Sequence, residues 1–467
     1  MGQRRKRDEN QHPKKEEAVA AEGEEGPEFE DAYADDYESE GEVIVHDEDG
    51  EGEQMEEAVD EDEVEEKKKV WFPGQDIAED EELDFENDAY EMLHRLNVDW
   101  PCLSFDYLRD TLGVNRVKFP LTFYFVAGTM AERNKDNKVQ LVKVSNLCRT
   151  RYDDDEFAEV DEEEEGDPVM ESKEVPHNGI VNRIRSMPQH PHIVATWSSL
   201  GKVHMYNLDN PLKILKQPGS VAPENPKGPF YTFGGHLEEG YSMDWSKVVE
   251  GRFITGDCRK NIHLWNAREA TFDVDQVPFV GHKASVEDLQ WSPNEQNVFA
   301  SCSVDQTIRI WDARKKNGSA LGVHAHKTDV NVISWNAKVP YLMASGADDG
   351  SIRVWDLRSF KEGSPAAEFM WHKKAVTSIE WCPQESSMLA VSGEDDQVTI
   401  WDMSVEKDDE EMETAQSAEI EVPPQLLFIH QGQREVKEIH WHFQCPGIIG
   451  STSATGMHLF KPAITEA

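Results

Sequence analysis

Histidine and aspartate recur in this chain at spacings that suit proton transfer. His282, His326 and His372 are followed, each after 23 residues, by Asp305, Asp349 and Asp395. An imidazole oriented by a carboxylate is the core of a general-base dyad. The pattern occurs three times, whereas a catalytic centre is built once, so the pairs read as structural hydrogen bonds. Two dense acidic runs, 153–167 and 404–425, could attract a metal ion, but their spacing matches no calcium loop. The six cysteines are scattered without a close CxxC pair, and no GxxxxGK[ST] phosphate loop is present. Chemistry of the enzymatic kind therefore has no site here, and neither cofactor nor metal is expected.

The elements that hold these residues show themselves by a second set of columns. Each Asp precedes a tryptophan by six residues, at Trp311, Trp355 and Trp401, and each of those lies 29 residues after its His. His236 and Trp265 repeat the 29-residue spacing, with Arg259 at the aspartate position, so that repeat must close its network differently. Trp245, Trp291, Trp335 and Trp381 form a further column nine residues after each His. β-Rich runs such as Ile308–Trp311 and Ser351–Trp355 fall at fixed places in the period. Such phase-locked repeats predict an all-β, seven-bladed WD-repeat β-propeller, because a four-stranded blade cannot bury both faces alone and a closed ring leaves only short edges.

Reading the chain in order gives three parts. Residues 1–69 hold 28 Asp/Glu against 9 Lys/Arg, too polar to offset ordering entropy by burial, and are expected to be a disordered acidic tail. Within it, Arg4, Arg5, Lys6 and Arg7 read as an import signal. Residues 70–102 form an N-terminal docking segment. It opens on Val70-Trp71-Phe72-Pro73, an apolar cluster expected to dock on the ring or on a partner. An amphipathic helix is then expected over 83–97, with Leu93 and Leu96 on its apolar stripe. Residues 103–463 are the propeller, interrupted by acidic loops 153–167 and 404–425. The strand at 103–108 is expected to complete the last blade and close the ring.

The net charge of -46 and pI of about 4.6 exclude direct nucleic-acid binding and favour a basic protein partner steered by long-range attraction. Neither a signal peptide nor an apolar spanning stretch is visible, so membrane association is not expected. Reduced thiols fit an intracellular protein.

Three stretches carry a more specific likeness: Leu96-Asn97-Val98-Asp99-Trp100-Pro101-Cys102-Leu103-Ser104-Phe105, the His177-Asn178-Gly179 to Met187-Pro188-Gln189 region, and Pro423-Pro424-Gln425-Leu426-Leu427-Phe428-Ile429-His430. On these the chain resembles the glutamate-rich WD-repeat proteins, a branch beside the histone-binding WD-repeat proteins of chromatin-assembly complexes. The histone binders grip a basic histone helix between an N-terminal helix and an acidic loop before the Pro-Pro pair. Carried over, that groove would use Leu93, Leu96, Asp408, Asp409, Glu410, Glu411 and Phe428. The resemblance further implies a nucleolar chaperone, able to shuttle to the cytoplasm, for a large-subunit ribosomal protein, the third of its series. Core histones would be a second class of client, and pre-ribosomal particles indirect partners. The loop departs in detail from that of the histone binders, and the client could instead lie over the face of the ring.

Two functions are thereby set against each other. One is a non-enzymatic acidic assembly factor that keeps a basic client soluble. The other is a substrate-recruiting subunit of a ubiquitin ligase or chromatin complex, for which Asp312-Ala313-Arg314 and Asp356-Leu357-Arg358 supply Trp-Asp-x-Arg elements.

Overall fold

A computed structural model of the chain describes residues 87–150, 167–217, 219, 226–269, 271–406 and 422–464. The acidic tail, the import cluster, Trp71, Phe72, Leu83, most of the first acidic loop and Asp408 to Glu411 lie outside the described residues.

Seven four-stranded antiparallel sheets form the ring. Blade one comprises Cys102–Leu108, Leu121–Thr129, Lys138–Leu147 and Val169–Pro176. Blades two to six begin at the inner strands Val181–Ser186, Ser242–Trp245, Val286–Trp291, Val330–Trp335 and Val376–Trp381. Blade seven takes Glu438–Trp441, Ile449–Ser453 and Gly456–Pro462 from the end of the chain and its outer strand, Tyr90–Leu96, from the beginning. Inner strands contact their neighbours all the way round, including blade seven against blade one. The one described α-helix, Asp209–Lys216, is an excursion between the last two strands of blade two.

Two expectations are corrected here. The closing strand is Tyr90–Leu96, paired antiparallel with Gly456–Pro462, whereas 103–108 belongs to the inner strand of blade one. Trp100-Pro101 is the turn between those two strands. The amphipathic helix is not found either: Asn87–Ala89 is one 3-10 turn and the rest is strand. A register irregularity between Tyr90 and Met92 explains the misreading. It sends Tyr90 and Leu93 to the seam between blades six and seven, and Met92 and Leu96 to the seam between blades seven and one. A bulged strand thus places apolar residues at i, i+3 and i, i+4, which are also the helical intervals. The unpaired edge of Gly456–Pro462 decides which is realised.

The core lies between blades. Trp265, Trp311, Trp355 and Trp401 are fully buried, each contributing an apolar area of about 150–250 Å². The meander fixes two faces of the ring. Turns between first and second strands and between third and fourth strands share one face. Turns between second and third strands and the connections from one blade to the next share the other, called here the crossover face.

Candidate functional site

The His columns sit on the crossover side and form a four-part network. In blade four, His282 Nδ1 lies 3.0 Å from Asp305 Oδ2, and His282 Nε2 lies 2.6 Å from Ser301 Oγ. Ser301 Oγ also accepts the Trp311 indole N–H at 2.7 Å. Serine, histidine and aspartate are here in the order of a catalytic triad. The hydroxyl is completely buried and already shared between two partners, so no substrate reaches it. In blade six the hydroxyl is Thr399, with His372 Nδ1 2.9 Å from Asp395. Blade five departs: His326 Nδ1 meets Ser351 Oγ at 2.8 Å, and Ser351 in turn donates to Asp349. In blade three, where Arg259 stands at the expected position, Asp257 supplies the carboxylate, 2.8 Å from His236 Nδ1. Burial lowers the pKa of His236 and His282 despite the adjacent aspartates, and takes His326 to about 4. These rings are neutral hydrogen-bonding parts.

A second network lines the channel. Asp106, Asp244, Gln290, Ser334 and Glu380 each accept a backbone N–H from the following inner strand, at Ser186, Trp291, Trp335, Trp381 and Trp441. Glu438 is fully buried; one oxygen takes Arg183 and Arg185, and the other takes the Phe105 N–H at 2.8 Å. Burial works to raise Glu438, but Arg185, Arg183 and His440 outweigh it and hold it well below the carboxylate range. Burial opposes charge on His440 too, yet Glu380 and Glu438 carry it to about 9. Asp244, desolvated and facing Asp288, rises to about 7. Reading the tryptophan columns alone passed over these groups; the signal was the polar residue just before each tryptophan of the second column.

The crossover face carries a different kind of arrangement. Glu239, Glu287, Asp329 and Asp348 form an arc over blades three to five. Burial raises the Glu287 pKa, with Asp329 and Asp288 adding to the shift and Arg183 opposing it. Burial and Asp348 raise that of Asp329. Glu239 and Glu287 together bear on Tyr241, which burial takes to about 12. Repulsion within the arc means that a cation placed there is stabilised by several carboxylates at once. Beside the arc, a cleft of about 480 Å³ between blades two and three is lined by Leu200, Leu237, Glu238, Glu239 and Cys258. Leu237 is 72% exposed and Leu200 42%, so apolar and acidic groups present themselves side by side. The sequence reading had no reason to single out these acids among 93.

The residues expected to form a groove are divided by the structure. Leu93 and Phe428 pack against one cluster at the seam of blades six and seven, where the Tyr90 and Phe428 rings meet edge-on at 5.2 Å. Leu96 is buried on the opposite side of the closing strand. The base of the second acidic loop is clasped there: Gln425 Nε2 donates to Val405 O at 2.9 Å. Arg314 and Arg358 are exposed, each forking onto its own Asp312 or Asp356. Among the described residues no cluster of three or more His, Cys, Asp or Glu is placed to hold a metal, and no helix is long and apolar enough to cross a membrane.

Comparison with known proteins follows the same lines. The model of the WD domain, G-beta repeat, matches residues 275–312, 318–356 and 363–402. A model described as histone-binding protein RBBP4 or a subunit of the CAF1 complex matches residues 80–148. The chain is 53% identical over 416 residues to glutamate-rich WD repeat-containing protein 1 of Dictyostelium discoideum, covering 85% of this chain and 86% of that protein. It is 44% identical over 446 residues to ribosome assembly protein rrb1 of Schizosaccharomyces pombe, covering 93% and 92%. It is 45% identical over 427 residues to protein HEAT STRESS TOLERANT DWD 1 of Arabidopsis thaliana, covering 84% and 91%. The WD40 β-propeller domain of Doa1 superposes with a TM-score of 0.52 at 16% identity, covering 80% of this chain and 96% of that one, a likeness of fold alone.

Proposed function

The chain belongs to the glutamate-rich WD-repeat proteins, and from that premise we propose that it is a non-enzymatic assembly factor that holds a basic protein client on the crossover face of its ring. The observation that carries the reading is the arc of Glu239, Glu287, Asp329 and Asp348 beside the apolar cleft at Leu200 and Leu237. Carboxylates that raise one another's pKa are relieved by lysine or arginine from a partner, and exposed leucines supply the apolar anchor that distinguishes a client from any polycation. The net charge of -46 adds long-range steering. Client chemistry of this kind suits a ribosomal protein, which must be kept from indiscriminate RNA contact until assembly. One relative is named a ribosome assembly protein. The proposed client is accordingly a large-subunit ribosomal protein, the third of its series, met in the nucleus and nucleolus.

A second reading keeps the seam of blades six and seven. Leu93 and Phe428 share one cluster there, next to the clasped acidic loop, and the histone-binding model covers the closing strand. That seam would take a basic helix of a core histone, with Asp408 to Glu411 as its acidic side. The recruiting-subunit alternative rests on Arg314 and Arg358, whose guanidiniums are exposed but committed to Asp312 and Asp356.

The test is direct binding of the purified chain to the ribosomal protein and to a core histone, each with Glu287→Lys/Asp329→Lys and with Phe428→Asp variants. The proposal expects the ribosomal protein to bind and the crossover variant to lose it. Loss with Phe428→Asp alone would move the site to the seam.

A further inference from the structure

The first turn of blade one is an insertion. First-to-second strand connections span six residues in blades two to six and seven in blade seven, but twelve, Arg109 to Pro120, in blade one. The extra length is held in place. Asp110 is buried, accepts Arg116 at 2.7 Å and the Leu112 N–H at 2.8 Å, and donates its own N–H to Gln444. Gln444 also takes the Arg116 N–H and donates to Gly113 O at 2.8 Å, tying the loop to blade seven.

This fixed loop nevertheless turns its apolar side chains outward: Leu112 is 53% exposed, Val114 66% and Val117 56%. An anchored loop cannot fold over to cover them, and three such groups in one place mark a docking surface. Arg109, Arg116 and Lys118 surround them against the single Asp110, a local excess of positive charge in a strongly acidic chain.

Position indicates what covers the patch. The closing strand begins on this same face, and Glu91 near its start pairs with Arg149 at 3.2 Å and with Lys461. Both cations lie over the ring of Phe119, at the end of the loop, 5.5 and 6.0 Å from its centroid. The chain preceding Asn87 therefore leaves the ring beside the patch. Residues 71–86 contain Trp71, Phe72 and Pro73, then seven Asp/Glu and no Lys/Arg. Fifteen residues separate Phe72 from Asn87, a reach of about 50 Å when extended. Apolar anchors meet apolar side chains and acids meet a basic rim, at the roughly millimolar effective concentration of a short tether.

We propose that Trp71-Phe72-Pro73 docks on Leu112, Val114 and Val117, with the acidic run 76–86 along Arg109, Arg116 and Lys118. The docked segment would hold the acidic tail to the face opposite the crossover face, so that the tail steers a client without occupying its site.

The experiment places a photo-crosslinking amino acid at Val117 of the full-length chain, at a concentration where it is monomeric. Val117 is exposed, so the ring folds as before, which a melting curve verifies. A crosslinked peptide joining the loop to 71–86 within one chain is expected. Trp71→Ala/Phe72→Ala should reduce its yield severalfold, and Lys118→Glu should make it sensitive to salt. Crosslinks formed only in dimers, to any other part of the chain, or not at all would overturn the proposal. So would a yield unchanged by Trp71→Ala/Phe72→Ala.

Discussion

Ser301 and its counterparts decide how the repeat histidines are to be understood. Removing the hydroxyl leaves His282 Nε2 and the Trp311 indole N–H without their shared partner inside the core. Ser301→Ala should cost about 1–3 kcal/mol, as should Asp305→Asn, whereas Asp349→Asn should cost less because Ser351 stands between it and His326. Urea midpoints at constant slope measure the order. The His–Asp columns were legible from spacing alone; the hydroxyl was not, because serine and threonine are too frequent for one column to stand out. Acid sensitivity follows from the same groups. Burial lowers His177, His204, His326 and His458 to about 4 and His442 to about 3. Each binds its proton in the unfolded chain near 6.5 but in the folded chain only near 4 or below. Each therefore contributes stability that is present above pH 6.5 and lost as pH falls toward its folded value, about 1.4 kcal/mol per pH unit. His440, carried to about 9, has the opposite sign: its stabilisation is full below 6.5 and lost as pH rises through 9. Melting followed from pH 7 to 4 should fall steeply, and His442→Gln should flatten the slope by about one proton.

Among the elements, the closing strand carries the most consequence. Tyr90–Leu96 covers the edge of Gly456–Pro462, and Tyr90 OH donates to His430 Nδ1 at 2.8 Å, binding the first described strand to blade six. Leu96→Asp places a charge in the seam between blades seven and one and should cost about 3–5 kcal/mol, read by chemical denaturation. Client affinity per folded molecule should not change; a stable Leu96→Asp variant that had lost its client would restore a binding role for that residue. The inner strands make a comparable prediction. Glu438→Gln removes the charge that Arg183 and Arg185 share across blade one and should cost about 3–5 kcal/mol. Blades two to six were legible because tryptophan and histidine repeat in phase. Closure was misplaced by one strand because the bulge at Tyr90–Met92 imitates helical spacing, and pairing between chain ends leaves no local mark in the sequence.

Over the whole molecule, charge divides into two roles that composition could not separate. The acidic excess was plain, but the arc over blades three to five exists only because the fold brings Glu239, Glu287, Asp329 and Asp348 together. Charges far from a bound client act through the screened long-range field and change the association rate, while charges at contact act on the complex itself. The measurement that separates them is calorimetric titration of the purified large-subunit ribosomal protein, across a salt series, into three folded chains: the natural one, one lacking residues 1–65, and Glu239→Lys/Glu287→Lys/Asp329→Lys. The account predicts that the truncated chain binds specifically with slower association and a shallower salt dependence, and that the triple variant loses at least about two orders of magnitude, roughly 3 kcal/mol. Full affinity in the triple variant, with binding abolished by the truncation alone, would contradict it.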